Sequence, residues 1–244
     1  VKDLREMIKL VSSVKLPPVK IVVTGGGRVA GGSEEILAAC NVQRVSVKEY
    51  LRNEHFERPV YVKLEPEAYN TNKAGKAFDL AHFFKHPEAY KGNFNRFCST
   101  TDLLIMAAYW DPRAPVLFTA EEMRRNDFRI SVIADITCDM NGSVPSSIRT
   151  TTHEDPFYDF NPITQVEEEA FSNPLNITVM TIDNLPFALP RGASVDFGNS
   201  LMKKVLPLII QGDKDDILMR ATIAKKGKLT AGYHYLADWV KKSK

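Results

Sequence analysis

The run Lys20-Ile21-Val22-Val23-Thr24 is short, β-branched and continuous, and it passes directly into Gly25-Gly26-Gly27-Arg28-Val29-Ala30. Apolar residues at successive rather than alternate positions suit a strand covered on both faces of a parallel sheet. The six residues after it fit the pattern G-x-G-x-x-G/A. There the first glycine makes a tight turn and the second lets a pyrophosphate approach the backbone. The third small residue lets a helix pack closely on the strand. The helix that follows offers free N–H groups and the positive end of its dipole to phosphate. A glycine-rich turn recurs by chance, so its meaning comes from the strand before it and the helix after it. Gly25, Gly27, Arg28, Val29 and Ala30 are therefore candidate cofactor-binding residues. Arg28 is read either as a partner for pyrophosphate or a substrate carboxylate, or as a solvated loop arginine.

The rest of the chain continues the alternation of strand and helix. Leu4, Met7, Ile8 and Val11 recur at helical spacing over residues 3–13, and Pro17 and Pro18 end that helix. After the glycine turn a helix is expected over 33–40 and a second strand over 42–47, closing one βαβ unit. Residues 52–99 break the rhythm, with an extra strand at 60–64 and a helical turn at 79–84. Strands are expected again at 102–108, 130–136 and 177–182, with a short helix at 121–126. Longer helices are expected at 194–210 and 233–242. The fold class implied is α/β, a Rossmann-like doubly wound parallel sheet with flanking terminal helices. The domain reading is a linker helix at 1–19, a dinucleotide-binding domain at 20–210 with an insert near 52–99, and a helical appendage at 211–244. The chain opens at Val1 and enters a nucleotide-binding strand almost at once, which reads as a cut through a longer protein.

Composition narrows the function classes. A formal net charge of +2 over 244 residues provides no broad basic face, so nucleic acid is not an expected partner. No apolar run approaches the roughly 20 residues that cross a bilayer and no stretch reads as a secretory leader, so neither a membrane nor a secretory route is expected. Cys40, Cys98 and Cys138 are far apart and odd in number, without zinc-site spacing, so no metal is expected. Buried free thiols fit a reducing cytoplasm. The cofactor's ribose usually meets an acid about 20 residues beyond the glycine turn. Ser46 stands there instead, with Arg44 and Lys48 beside it and Glu49 slightly beyond. A serine flanked by bases suits the 2′-phosphate of NADP, whereas Glu49 restores NAD if the turn runs late. Both cofactors stay open.

Two strings are more specific than the glycine turn. They are Val132-Ile133-Ala134-Asp135-Ile136-Thr137-Cys138-Asp139 and Ile182-Asp183-Asn184-Leu185-Pro186-Phe187-Ala188-Leu189-Pro190-Arg191. Both resemble the lysine-forming saccharopine dehydrogenases, a family related to alanine dehydrogenase and the transhydrogenase nucleotide domain. The order of motifs agrees over roughly residues 20–208. Thr150-Thr151-Thr152, followed by Asp155-Pro156-Phe157-Tyr158-Asp159, also resembles the lysine-ketoglutarate reductase domains.

The resemblance implies that Gly27 and Arg28 meet the pyrophosphate and that Tyr109 lies along the cofactor. Ile136 would pack near the nicotinamide, with Thr137, Cys138 and Asp139 bordering the substrate. Ile182, Asp183, Asn184 and Leu185 would complete the nicotinamide pocket. On the residues alone, Asp139 and Asp183 also read as caps, and Tyr109 and Trp110 as packed aromatics. The implied activity is NAD(P)-dependent oxidation of a CH–NH group, as in lysine metabolism, with an amino-acid substrate. The family's general acid and base resemble a lysine–histidine pair in an upstream domain, so no residue here inherits those roles. His55, His82, His86, His153 and His234 are read as structural or solvated. The stretch beyond Arg52 has no counterpart in the lysine-forming members. Two alternatives remain: a catalytically silent nucleotide-binding relative, and an alanine-dehydrogenase-like enzyme. Terminal helices that pack on the upstream domain would expose apolar surface in this chain alone, so a homo-oligomer is among the expected partners.

Overall fold

The computed structural model describes residues 1–242, and the chain divides into two compact units, Val1–Ala188 and Leu189–Lys244. The first unit opens with helix α1 (Leu4–Val11), capped by the Asp3 carboxylate, which accepts from the Glu6 amide. Its strands are β1 (Lys20–Thr24), β2 (Gln43–Arg44), β3 (Val60–Leu64), β4 (Asn70–Asn72), β5 (Tyr90–Gly92), β6 (Leu103–Met106), β7 (Val132–Asp135), β8 (Tyr158–Phe160), β9 (Glu167–Glu168) and β10 (Ile177–Met180). Eight of these form one sheet in the order β2-β3-β1-β6-β7-β10-β8-β9. The strands from β2 through β10 in that order run parallel, while β8 and β9 extend one edge antiparallel. β4 and β5 pair separately as a small antiparallel ribbon.

Both faces of the sheet are covered, which is why β1 is apolar at successive positions. Ile21 and Val23 join Ala30 and Leu37 of helix α2 (Arg28–Ala39) on one face. Val22 joins Tyr50, Phe97 and Met123 on the other. Tyr50 lies on helix α3 (Val47–Arg52), and Phe97 and Met123 on the short helices Asn95–Cys98 and Ala120–Met123. The α/β, Rossmann-like class read from the sequence is therefore the class observed. At the start of β1, the buried Lys20 ammonium donates to the carbonyls of Tyr50 at 2.8 Å and Asn53 at 2.6 Å. It thereby satisfies acceptors that the end of α3 leaves open.

Three local expectations change. α2 begins at Arg28, inside the glycine motif, rather than at residue 33. The strand expected at 42–47 shrinks to β2 and does not neighbour β1, because β3 lies between them. Gln43 and Arg44 are exposed and fit an edge, whereas the Val60, Tyr61, Val62 and Leu64 side chains need cover on both faces. A strand inside the supposed insert thus belongs to the main sheet, between the edge strand β2 and β1. The helix expected at 194–210 is two helices, Pro190–Lys204 and Leu206–Gln211. Pro207 has no N–H to continue the ladder. The second unit also contains Ile217–Ala221, a hairpin pairing Ala224–Lys225 with Lys228–Leu229, and the terminal turns Ala231–Leu236 and Ala237–Lys242. Among the described residues, no helix is long and apolar enough to cross a membrane.

Candidate functional site

The glycine turn lies where the strand order reverses, between β1 with β3 on one side and β6 on the other. Open α/β sheets bind ligands in the crevice at this point. Gly25 has φ +105, a conformation side chains rarely adopt, and its amide donates to the Leu64 carbonyl at 2.8 Å. A Cβ there would lie 2.8 Å from the Ala107 carbonyl oxygen, so only glycine lets the turn press against the chain leaving β6. Gly27 differs: a Cβ on it would meet nothing within 4 Å. The backbone at Gly27 is therefore open to an approaching group, and α2 starts immediately behind it without a side-chain cap. The first N–H groups of that helix have no intrahelical acceptor and face this opening with the positive end of the dipole.

From this turn a cleft of about 310 Å³ extends between two walls. Gly25, Gly27, Arg28, Val29 and Tyr109 all border it, while Ala30 is buried beneath in the contact of α2 with the sheet. Tyr109 is 78% exposed, so packing does not account for it. Pro66, Tyr69, Asn70, Phe83, Phe84 and Pro87, all from the 52–99 stretch, also border the cleft and were not singled out from sequence. The strand at 60–64 was legible in the sequence, but its place beside β1, which brings the residues after it to the cleft, was not.

The remaining predicted residues gather at the carboxyl ends of β7 and β10. Asp135, at the end of β7, is 1% exposed. Its carboxylate accepts from the Thr137 amide (3.0 Å), Thr137 Oγ1 (2.6 Å), the Cys138 amide (3.2 Å) and Ser147 Oγ (2.6 Å). These bonds fix the turn carrying Thr137, Cys138 and Asp139, in which Cys138 adopts φ 54. Cys138 Sγ lies 3.1 Å from the Ile182 carbonyl, joining the two strings that carry the family resemblance. Ile136 packs against the apolar cluster that contains Ala30 and Ala107. Asp183 and Asn184 are exposed and Leu185 is half-buried, with the Asn184 carbonyl 3.0 Å from His153 Nε2. Burial, with Asp135, Asp183 and Asp139 nearby, pushes the Cys138 thiol up to about 11. A protonated thiol is a poor nucleophile. Burial and the Asp135 charge also raise the Asp139 carboxyl above the usual carboxylate range.

Ser46 is not brought to the cleft. Its hydroxyl accepts from the Glu49 amide at 3.2 Å and caps α3, beside the edge strand β2. Arg44 is engaged with Glu34 at 3.1 Å. The residue just after the strand neighbouring β1 is Glu65, whose carboxyl carbon lies 3.4 Å from where a Cβ on Gly26 would stand. Among the described residues, no group of His, Cys, Asp and Glu side chains could hold a metal ion.

The "Alpha-aminoadipic semialdehyde synthase" of Arabidopsis thaliana is 28% identical over 241 residues, covering 90% of this chain and 23% of the relative. The "Alpha-aminoadipic semialdehyde synthase, mitochondrial" of Bos taurus is 25% identical, covering 90% of this chain and 27% of the relative. The "Saccharopine dehydrogenase [NAD(+), L-lysine-forming]" of Schizosaccharomyces pombe is 26% identical over 140 residues, 56% of this chain and 36% of the relative. The chain thus spans about a quarter to a third of the length of these relatives. Residues 2–232 match the family described as "Alanine dehydrogenase/PNT, C-terminal domain", and the chain belongs to that family.

Proposed function

We propose that this chain is the dinucleotide-binding part of a longer oxidoreductase of amino-acid metabolism, acting on a CH–NH group as saccharopine dehydrogenases do. The observation that carries the reading is the glycine turn at the switch point, tight at Gly25, open at Gly27 and backed by the start of α2. That cradle fits a pyrophosphate. The names of the relatives support the substrate class, and their greater length supports further domains that supply acid and base. A nicotinamide cofactor, when bound, provides the hydride acceptor or donor. The chain's own share is positioning. Gly27 admits the pyrophosphate, Arg28 sits beside it, and Tyr109 lines its path. Ile136, Ile182, Asp183, Asn184 and Leu185 shape the nicotinamide end, with Thr137, Cys138 and Asp139 facing the substrate. Ser46 takes no part in this reading.

Glu65 favours NAD over NADP. It occupies the strand end where the ribose-binding acid belongs, and its charge would oppose a 2′-phosphate. Titration with NADH and NADPH, followed by nicotinamide fluorescence, tests both statements. NADH should bind at least tenfold more tightly, Glu65→Gln should narrow that gap, and Gly27→Asp should abolish binding in a folded protein. Undiminished binding by Gly27→Asp would remove the glycine turn from the site. Reduction of NAD+ by the full-length protein with saccharopine, or oxidation of NADH with lysine and 2-oxoglutarate, would distinguish an active enzyme from a silent nucleotide binder.

A further inference from the structure

We infer that His153 is a positioning residue, which holds the turn after β10 through the Asn184 carbonyl and thereby sets the nicotinamide end of the site. The inference rests on the dinucleotide reading above and gives a role to a histidine whose sequence context reads as structural or solvated.

The turn needs such a tie. No residue from Asp183 to Ala188 is buried, so packing against the core does not fix its path. An exposed turn without attachments samples many conformations, and ordering it when a ligand binds costs affinity. Just before the turn, Cys138 Sγ lies 3.1 Å from the Ile182 carbonyl. Within it, the Phe187 amide donates to the Asn184 carbonyl at 3.0 Å. That same carbonyl lies 3.0 Å from His153 Nε2. A carbonyl oxygen only accepts, so Nε2 carries the proton and donates. The imidazole also lies beside the Phe187 ring, with centroids 6.2 Å apart. One side chain therefore touches the turn near both of its ends.

His153 is itself braced. Thr151 bridges Ile182 in parallel register. Its amide donates to the Thr181 carbonyl at 3.0 Å, and the Thr181 amide donates back to Thr151 Oγ1 at 3.1 Å. Thr181 Oγ1 donates to the Arg149 carbonyl at 2.6 Å. On the other side of the histidine, the Asp155 amide donates to Thr152 Oγ1 at 3.1 Å and the Thr152 amide to the Asp155 carbonyl at 3.2 Å. Arg149 closes this loop, with Nη2 3.4 Å from the Asp155 carboxylate and Nε 2.7 Å from that of Glu167. The imidazole thus projects from an ordered loop, and its bond to Asn184 passes that order to an exposed turn.

Calorimetric titration with NADH and with ADP-ribose, which lacks the nicotinamide, tests the inference on wild type, His153→Ala and His153→Gln. Wild type should bind NADH more tightly than ADP-ribose. His153→Ala should weaken NADH about fivefold, the effect of one neutral hydrogen bond, and leave ADP-ribose within about twofold. His153→Gln, whose side-chain amide can donate to the same carbonyl, should restore NADH affinity. Unchanged NADH binding in His153→Ala, or no recovery with glutamine, would overturn the positioning role. Equal weakening of both ligands would make His153 a general structural residue and overturn it too. Equal affinity of wild type for NADH and ADP-ribose would overturn this inference and leave the dinucleotide reading standing. Failure of wild type to bind either ligand would overturn both.

Discussion

Replacing Asp135 with alanine removes a carboxylate that is 1% exposed and accepts four hydrogen bonds. A hydrogen bond to an ionised group contributes about 1.5–3 kcal/mol, and an orphaned buried donor costs about 1–3 kcal/mol. Thr137 and Cys138 are half-buried, so their donors regain water in the variant. Ser147 is fully buried and its hydroxyl does not. With partial recovery at three donors and none at the fourth, the expected loss is about 4 kcal/mol. That corresponds to a fall in melting temperature of roughly 8–16 °C for a domain of this size. Asp135→Asn keeps the shape and one acceptor oxygen, and Ser147 Oγ can rotate to accept from the new amide, so its cost should be about 1–2 kcal/mol. Asp139→Ala, half-buried in the same turn, should cost under about 1 kcal/mol. Urea unfolding of the three variants measures these differences as shifts in midpoint at constant slope. An Asp135→Ala variant within 1 kcal/mol of wild type would refute the argument that this carboxylate holds the turn together.

Two glycines should respond in opposite directions. Gly25→Ala, with φ +105 and a backbone oxygen 2.8 Å from the new Cβ, should lose about 3 kcal/mol and the nucleotide site with it. Gly32→Ala, inside α2 with nothing within 4 Å of the new Cβ, should gain about 0.5–1 kcal/mol in thermal unfolding. The Cys138 thiol, raised from 9.0 to about 11, should react with iodoacetamide far more slowly at pH 8.5 than free glutathione does, as read from its labelled peptide. Because the folded state holds that proton more tightly, its contribution to stability is complete below pH 9 and is lost between pH 9 and 11. Rapid labelling at pH 8.5 would contradict the burial that raises it.

The sheet and the family were largely legible in the sequence because their signals are local. β1, β6, β7 and β10 are continuous apolar runs, and a strand buried on both faces has no other way to be written. The glycine motif is equally local, since one positive φ, one open backbone and one small residue are needed within six positions. The string from Val132 to Asp139 carries its own acceptor, Asp135, for the turn it makes.

Adjacency across the sheet was not local, and tertiary structure alone decided it. Counting residues from the glycine turn pointed to Ser46 as the ribose partner, because a helix and the next strand are normally neighbours of the first. The chain instead sends β2 to the edge and returns β3 beside β1, since β3 has apolar side chains for both faces and β2 has none. That exchange carries Glu65 to Gly26 and brings Phe83, Phe84 and Pro87 to the cleft from a stretch that looked like an interruption. The sequence by itself determined which segments are strands and where a phosphate can approach. Which strand stands next to β1, and so which side chains meet at the cleft, followed only from burying both faces of the sheet at once.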